Sequence, residues 1–269
     1  MNERIEKAYE SRPKNWVYNL TMAVIVVFLL LWSASGMESS GTTTNGGKMA
    51  LNILNGIIHP DTDLLFNLTT SGVPYLLLET ICIAFMGTVV GAILSIPLAF
   101  ISASNLTPKP VAFAGRLLIM AIRTVPAFVY GLMFIRVTGP GPFAGLMTMS
   151  LTSIGMISKM YIEAIEDLDT KILESLDAMG CSTWQKIRYG ILPQIIPNFI
   201  STVIYRFDIN VKDATTLGIV GAGGIGAALI QCINSSRWSM VGAYLCGMVI
   251  LMLFIEFFST KIRNKLTRG

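Results

Sequence analysis

Residues 163–206, EAIEDLDTKILESLDAMGCSTWQKIRYGILPQIIPNFISTVIYR, form the longest polar interruption in the apolar two-thirds of the chain. This stretch predicts two short helices that are joined at Gly180, where a left-handed C-cap is expected. Ser182 and Gln185 have the spacing of a capping box for the second helix. Pro193 opens the next apolar run, where its missing N–H costs little. The stretch therefore predicts a compact turn between two apolar segments.

We call residues 163–190 the elbow. Four apolar residues at helical spacing form a stripe on one face of its first helix, and polar residues occupy the opposite face. Such a stripe needs a partner, which is either another protein or the surface of a bilayer on which the helix lies. The stripe consists of Ile172, Leu173, Leu176 and Met179.

The composition is that of an integral membrane protein. Hydrophobic residues make up 53% and charged residues 13%, and the mean hydropathy is +0.63. Since a span needs about 20 apolar residues, we predict an all-α protein with six transmembrane helices. A seventh apolar run, residues 214–236, is rich in glycine and is predicted to be an external loop or a re-entrant segment. The six predicted spans are 17–37, 80–108, 111–135, 137–158, 189–205 and 238–255.

Lysine and arginine placement predicts the orientation. With both termini inside, the inner segments hold 13 basic residues and the outer segments hold four. This arrangement makes 1–16 a cytoplasmic segment, 38–74 an external loop and 259–269 a cytoplasmic tail, and it places the elbow in the cytoplasm. A cleaved signal peptide is the alternative for 17–37, but the length of the run and the acidic residues before it favour an uncleaved span. The positive balance is therefore a topology signal and does not indicate nucleic-acid binding.

Two details of the apolar segments predict local geometry. Gly87 and Gly91 form a GxxxG pattern, which lets helices approach closely, although such patterns also occur by chance. Pro126 lies inside the apolar segment 111–135 and predicts a kink. Arg116 interrupts the same segment and is expected to extend its charged end to the inner interface.

Several chemistries find no support in the sequence. One histidine and four cysteines without metal-ligand spacing predict neither a metal site nor a catalytic centre. The triplet Gly221, Gly223 and Gly226 matches the dinucleotide fingerprint, but no acidic residue follows about 20 positions later and no βαβ unit surrounds it. We therefore expect a flexible, tightly packed loop there.

The elbow resembles the signature of the permease subunits of bacterial ABC importers. That signature is Glu-Ala-Ala, three residues, Gly, nine residues, and then Ile-x-Leu-Pro. Ser175 and Leu176 replace the alanines here, and Gly190 stands where isoleucine is usual, so the docking contacts can differ in detail. The matching positions are Glu174, Ser175, Leu176, Gly180, Leu192 and Pro193.

Other stretches within residues 75–258 are similar to the phosphonate-type permeases of this family. The resemblance implies the methionine-permease-like fold of type I importers, with six transmembrane helices. It also implies two copies of this chain, an external substrate-binding protein, and two ATP-binding subunits on which the elbow docks. The chain has no GxxxxGK[ST] loop, so ATP and Mg would be bound by those subunits. The similar stretches are 123–126, 139–145, 158–159, 205–207, 210–211 and 220–226.

Charged and amide side chains within or just beyond the predicted spans are candidates for the translocation pathway, because an intramembrane charge must face protein or water. They are Arg123, Arg206, Asn210 and Lys212. A guanidinium binds phosphonate or phosphate oxygens through two parallel hydrogen bonds. The structural alternatives are an ion pair of Arg206 with a nearby aspartate, or extension of either arginine to the interface.

We therefore expect a bacterial inner-membrane permease that moves an oxyanion, with phosphonate as the first candidate, by alternating access. Phosphate, phosphite or an amino acid such as methionine are alternative cargoes for the same machinery. A channel and a membrane-embedded lipid phosphatase are alternatives of other classes.

Overall fold

The computed structural model describes residues 16–36 and 46–268. All regular elements in this described part are helical, which confirms the all-α prediction. We number the α-helices in chain order. They are α1 (Trp16–Gly36), α2 (Gly46–Ile58), α3 (Thr62–Phe66), α4 (Val73–Ser102), α5 (Lys109–Thr124), α6 (Ala127–Thr138), α7 (Pro142–Glu166), α8 (Thr170–Ala178), α9 (Thr183–Gln185), α10 (Leu192–Ile219), α11 (Gly224–Asn234) and α12 (Trp238–Arg268), with a π-helix at Lys186–Ile191 before α10.

The chain divides into two compact units, residues 1–50 and 51–269. In the first unit, α1 is a 21-residue helix whose described side chains are exposed. Its length and apolar composition are sufficient for a membrane span. Residues 1–15 of the predicted cytoplasmic segment and residues 37–45, which contain the start of the predicted external loop, lie outside the described residues.

Four helical segments of the described chain are long and apolar enough to cross a membrane, and the bent pair α5–α6 would make a fifth. The remaining long helix, α7, has 25 residues, and at a rise of about 1.5 Å per residue it is also long enough to span. Its Ser and Thr residues lower its mean hydropathy. Most of their side chains are buried within the protein, so they do not face lipid. The arrangement is consistent with six spans when α7 is counted. The four segments are Trp16–Ser35, Val73–Ser102, Lys186–Asn234 and Trp238–Leu266.

A sharp bend of 81° separates α5 from α6. It lies at Val125 and Pro126, where Val125 is extended because a residue before proline avoids the helical conformation. The Tyr130 hydroxyl donates to the carbonyl of Ile122 at 3.0 Å and so satisfies one acceptor that the interrupted helix frees. The predicted kink at Pro126 is thus confirmed.

The helix that contains most of the predicted span 189–205 continues beyond residue 205. Helix α10 continues to Ile219 and, with the π-helix and α11, forms one candidate span, Lys186–Asn234. The charges inside α10 do not end it because they are paired: Asp208 lies 3.3 Å from Lys212, and Asp213 lies 3.8 Å from Arg206. The glycine-rich run 214–236 comprises the end of α10, a short turn and α11. Its re-entry stays a prediction.

Helices α4 and α7 pack side by side in the core of the second unit. A Cβ added at Gly87 would lie 2.3 Å from Met149 Cβ, and one added at Gly91 would lie 2.5 Å from Ser153 Cβ. Only glycine permits this approach, so the GxxxG pattern is a packing site. It brings the backbone of α4 close to Ser153, around which the polar residues of the core gather.

Candidate functional site

Arg206 of α10 lies in the core, with only 6% of its surface exposed. Its Nε donates to Ser153 Oγ and its Nη2 donates to Thr152 Oγ1, both at 3.3 Å. Its Nη1 lies 3.2 Å from Met156 Sδ. All three partners are on α7, so the guanidinium is held against one turn of that helix.

Asn210 follows Arg206 by one helical turn and is completely buried. Its Nδ2 donates to Thr88 Oγ1 at 2.7 Å and to Ser153 Oγ at 2.8 Å. Ser153 therefore accepts from both α10 side chains, and a single hydrogen-bonded cluster joins α4, α7 and α10. Within the described chain, Asn210 Oδ1 has no hydrogen-bond partner although it is buried.

A carboxylate faces the same guanidinium. Asp213 lies on the same face of α10 as Arg206, and its Oδ2 is 3.8 Å from Arg206 Nη2. The Asp213 side chain is 40% exposed, whereas that of Arg206 is 7% exposed. The ion pair of Arg206 with a nearby aspartate, which was the structural alternative, is thus present. Its N–O distance is long, and its Asp213 side is partly exposed.

Lys212 lies six residues after Arg206 and therefore about 120° away from it around α10. Its Nζ is 3.3 Å from Asp208 Oδ2 and 3.5 Å from Glu256 Oε2 of α12. The structure therefore separates Lys212 from the Arg206–Asn210 cluster and places it in an ion-paired contact between α10 and α12. A role for Lys212 in the pathway stays a prediction.

Arg123, near the end of α5, contacts α7 next to the turn that holds Arg206. A Cβ added at Gly155 would lie 2.7 Å from Arg123 Cγ, so the arginine packs directly over this glycine. Its side chain lines a cavity of about 310 Å³ between α5 and α7. The two candidate arginines thus contact the same stretch of α7, from Thr152 to Met156, through different side chains.

Arg116 makes more contacts than a residue that only extends to the interface. Its Nη2 is paired with Glu166 Oε1, and its Nε donates to the carbonyl of Ser102 at 3.1 Å. Glu166 also accepts from Ser104 N at 2.7 Å and from Ser104 Oγ at 2.5 Å. Arg116 therefore ties α5 to the end of α7 and to the α4–α5 loop. No local pattern predicted the pair of Arg116 with Glu166, because the two residues are distant in the chain.

The joint of the elbow has the predicted geometry. Gly180 has φ +72°, Gly180 N donates to Asp177 O at 2.9 Å, and Cys181 N donates to Leu176 O at 3.0 Å. These two bonds form a Schellman motif. Beyond it, Ser182 N donates to Gln185 Oε1 at 2.8 Å, which is one of the two bonds of the predicted capping box.

An ion pair between Asp177 and Lys186 crosses the elbow joint, and no pattern along the chain predicted it. Apolar side chains around the joint are exposed: Met179 by 69%, Trp184 by 78% and Tyr189 by 66%. Trp184 and Tyr189 extend the apolar surface beyond the predicted stripe.

The other elbow candidates are accessible to different degrees. Glu174, Ser175 and Pro193 are exposed, whereas Leu176 and Leu192 are half-buried. The side chain of Leu173 lies outside the described part of the structure.

Two glycine-rich turns meet at the other end of the helices. Gly141 N donates to Gly221 O at 2.9 Å, and a Cβ added at Gly145 would lie 2.4 Å from Ala222 O. Gly221 and Gly223 have φ +99° and +82°. The glycines of the apparent dinucleotide fingerprint are thus required by backbone conformation and close packing.

Residues 95–268 match the family described as "Binding-protein-dependent transport system inner membrane component". The chain is 31% identical over 240 residues to the phosphite transport system permease protein PtxC of Stutzerimonas stutzeri, which covers 89% of this chain and 85% of that protein. It is 33% identical over 189 residues to the phosphate-import permease protein PhnE of Mycolicibacterium smegmatis, which covers 70% of this chain and 36% of that protein.

A solved inward-facing structure of the MetNI methionine ABC transporter superposes with a TM-score of 0.63 at 20% identity, covering 72% of this chain and 95% of that chain. This likeness shows the fold. Together with the match over residues 95–268, it establishes that the chain belongs to the family of binding-protein-dependent inner-membrane transport components and is a multi-pass ABC importer permease of type I fold.

Proposed function

We propose that the chain imports a tetrahedral phosphorus oxyanion, with phosphonate as the first candidate and phosphite or phosphate as alternatives. The observation that carries this proposal is the burial of Arg206 among the hydroxyls of Thr152 and Ser153. An arginine within a span is costly and needs a reason. Recognition of an anion by two parallel N–H···O bonds gives one.

The local charge balance supports a pathway role. Asp213 offers Arg206 a single long contact of 3.8 Å, so this carboxylate neutralises the guanidinium only weakly and a closer anion can compete with it. Asn210 holds Ser153, which in turn accepts from Arg206, so Asn210 positions the guanidinium. Two relatives of the chain are a phosphite transport permease and a phosphate-import permease, which agrees with an anionic cargo.

The partners follow from the family. A second copy of this chain or a related permease would complete the pathway, an external binding protein would deliver the substrate, and two ATP-binding subunits would bind ATP and Mg. The exposed apolar surface of the elbow would dock on those subunits, with Glu174, Ser175, Leu176, Gly180, Leu192 and Pro193 at or near the contact. Both termini would then lie in the cytoplasm, as the Lys/Arg distribution predicts.

The experiment is uptake of radiolabelled phosphonate, phosphite and phosphate by vesicles that contain the complete transporter. Arg206→Ala should reduce uptake at least about tenfold, because a buried charge-assisted contact is lost. Arg206→Lys should restore uptake only in part, since an ammonium lacks the planar fork. Arg136→Ala, at an exposed arginine of α6, is the control. Unchanged uptake by Arg206→Ala would contradict the proposal.

The same vesicles separate the remaining alternatives. Uptake of methionine in place of oxyanions would indicate an amino-acid importer. Flux that persists without ATP would indicate a channel. Release of phosphate from lipid phosphates by the purified chain would indicate a phosphatase.

A further inference from the structure

We infer that Arg123 and Lys159 form a second site for a phosphorus oxyanion at the inner mouth of the chain, and that the anion there exchanges with the carboxylate of Glu163. The choice of ligand rests on the proposed function. Lys159 and Glu163 thereby receive roles beyond the proposed function, and the anion meets two separate sites in a fixed order.

The site is the cavity of about 310 Å³ between α5 and α7. Its lining combines apolar side chains with five charged groups. Three of these groups are cations and two are carboxylates. The lining residues are Arg116, Ile119, Met120, Arg123, Lys159, Ile162, Glu163 and Glu166.

One pair of charges in this cavity is fixed. Glu166 accepts from Arg116 and twice from Ser104, and Arg116 also donates to the carbonyl of Ser102. Four hydrogen bonds hold these two side chains in place. One joins them to each other, one reaches Ser102 at the end of α4, and two come from Ser104 in the loop after α4. Arg116 is therefore committed to the helix contact and is not available to a ligand.

The second pair is loosely held. Lys159 Nζ lies 3.3 Å from Glu163 Oε1, and both side chains are more than half exposed. A pair of this kind, one helical turn apart, is weak and exchanges readily with solvent ions. Arg123 makes no hydrogen bond or ion pair with any residue in ranges 16–36 and 46–268. Two cations are thus available to one anion, at the modest cost of displacing Glu163.

The cavity lies on the same face of α7 as the Arg206 site. Thr152, Met156, Lys159 and Glu163 follow one another at helical spacing along that face. The first two contact Arg206, and the last two line the cavity. Lys159 is about 9 Å further along α7 than Ser153 at a rise of 1.5 Å per residue. An anion released by Arg206 would therefore meet Arg123 and Lys159 next.

The test is protection of a cysteine in the cavity from an impermeant, negatively charged thiol reagent. The reporter is Met120→Cys, at an exposed residue of the lining, in a chain whose native cysteines have been replaced. The assembled transporter is labelled in detergent with increasing methylphosphonate or inorganic phosphate, and with chloride at matched ionic strength. We expect the phosphorus oxyanions to slow labelling and chloride to leave it unchanged.

Variants assign the protection to particular side chains. Lys159→Gln and Arg123→Gln should each raise the half-protecting concentration about tenfold, as expected for one lost charge-assisted contact. Glu163→Gln should lower that concentration, because it removes the competing carboxylate. Lys109→Gln, a matched control on α5 outside the cavity lining, should leave it unchanged. Equal protection in Lys159→Gln and Lys109→Gln would overturn the site.

Two further arms separate this site from its alternatives. Arg206→Ala should reduce uptake at least about tenfold yet retain protection at Met120→Cys, so failure of the proposed function and failure of this inference give different results. In lipid nanodiscs without added oxyanion, protection by phosphatidylglycerol but not by phosphatidylcholine would assign the two cations to a lipid headgroup and overturn their place in the transport path.

Discussion

The carboxylate of Glu79 in α4 accepts a hydrogen bond from the backbone N–H of Gly224, the first residue of α11, at 2.9 Å. The adjacent Thr80 Oγ1 accepts from Ile225 N at 3.0 Å. Two side chains of one helix thus cap the free N–H groups at the start of another, and the negative charge suits the positive end of the helix dipole. The break between α10 and α11 is held in place by α4.

This capping predicts the effect of removing Glu79. Glu79→Ala leaves a free donor at the start of α11 and should destabilise the folded chain by about 0.5–2 kcal/mol, as is usual for a lost N-cap. Glu79→Gln keeps an oxygen acceptor and should lose less. Thermal unfolding of the purified protein measures the difference, and equal melting temperatures for the wild type and Glu79→Ala would contradict it.

The buried amide of Asn210 predicts a loss of both stability and uptake. Asn210→Ala removes the donors to Thr88 and Ser153 and should cost about 1–3 kcal/mol because buried acceptors lose their partners. Uptake should fall because Ser153 no longer fixes the guanidinium of Arg206. Asn198→Ala, at an exposed asparagine of the same helix, should change neither quantity.

The left-handed conformation of Gly180 predicts a graded response to substitution. At φ +72° a side chain is strained, but a Cβ there would meet no atom within 4 Å. The backbone conformation therefore sets the cost of a Cβ at this position, at about 1–2 kcal/mol. Gly180→Val should reduce uptake per ATP hydrolysed, whereas Gly180→Asn should be better tolerated. Normal coupling in Gly180→Val would argue against a role of the joint in transmission.

Two acidic residues of α8 should differ in what they contribute. Asp177 is paired with Lys186 within the elbow, whereas Glu174 is exposed and free to contact a partner. Glu174→Gln should lower uptake per ATP without changing the melting temperature. Asp177→Asn should lower the melting temperature slightly, since exposed ion pairs contribute about 0.2–1 kcal/mol. Uptake and ATPase activity, measured together with thermal unfolding, distinguish the two roles.

The charge distribution predicts that the C-terminal end of α12 is cytoplasmic. A cysteine at Lys265→Cys should react with a membrane-impermeant maleimide only after the cells are opened. Lys48→Cys, in the predicted external loop, should react in intact cells and serves as the control. Labelling of position 265 from outside would reverse the predicted orientation.

The sequence by itself determined the features that depend on local pattern and composition. Apolar runs and few charges required a helical membrane protein, because a lipid environment leaves backbone groups no other partners over a long span. The elbow joint followed from Gly180, one bond of the capping box from Gln185, and the kink from Pro126. Each of these features depends on the preferences of one or two residues. The elbow signature indicated the family before any coordinates.

Only the tertiary structure decided which side chains share a site. It placed Ser153 between Arg206 and Asn210, paired Lys212 with Glu256 of α12, and committed Arg116 to Glu166. The sequence could not show this because all four partnerships join helices or faces whose separation depends on packing. Helix α10 continues past residue 205 to Ile219, and its charges are neutralised in pairs, Asp208 with Lys212 and Arg206 with Asp213, instead of marking a helix end.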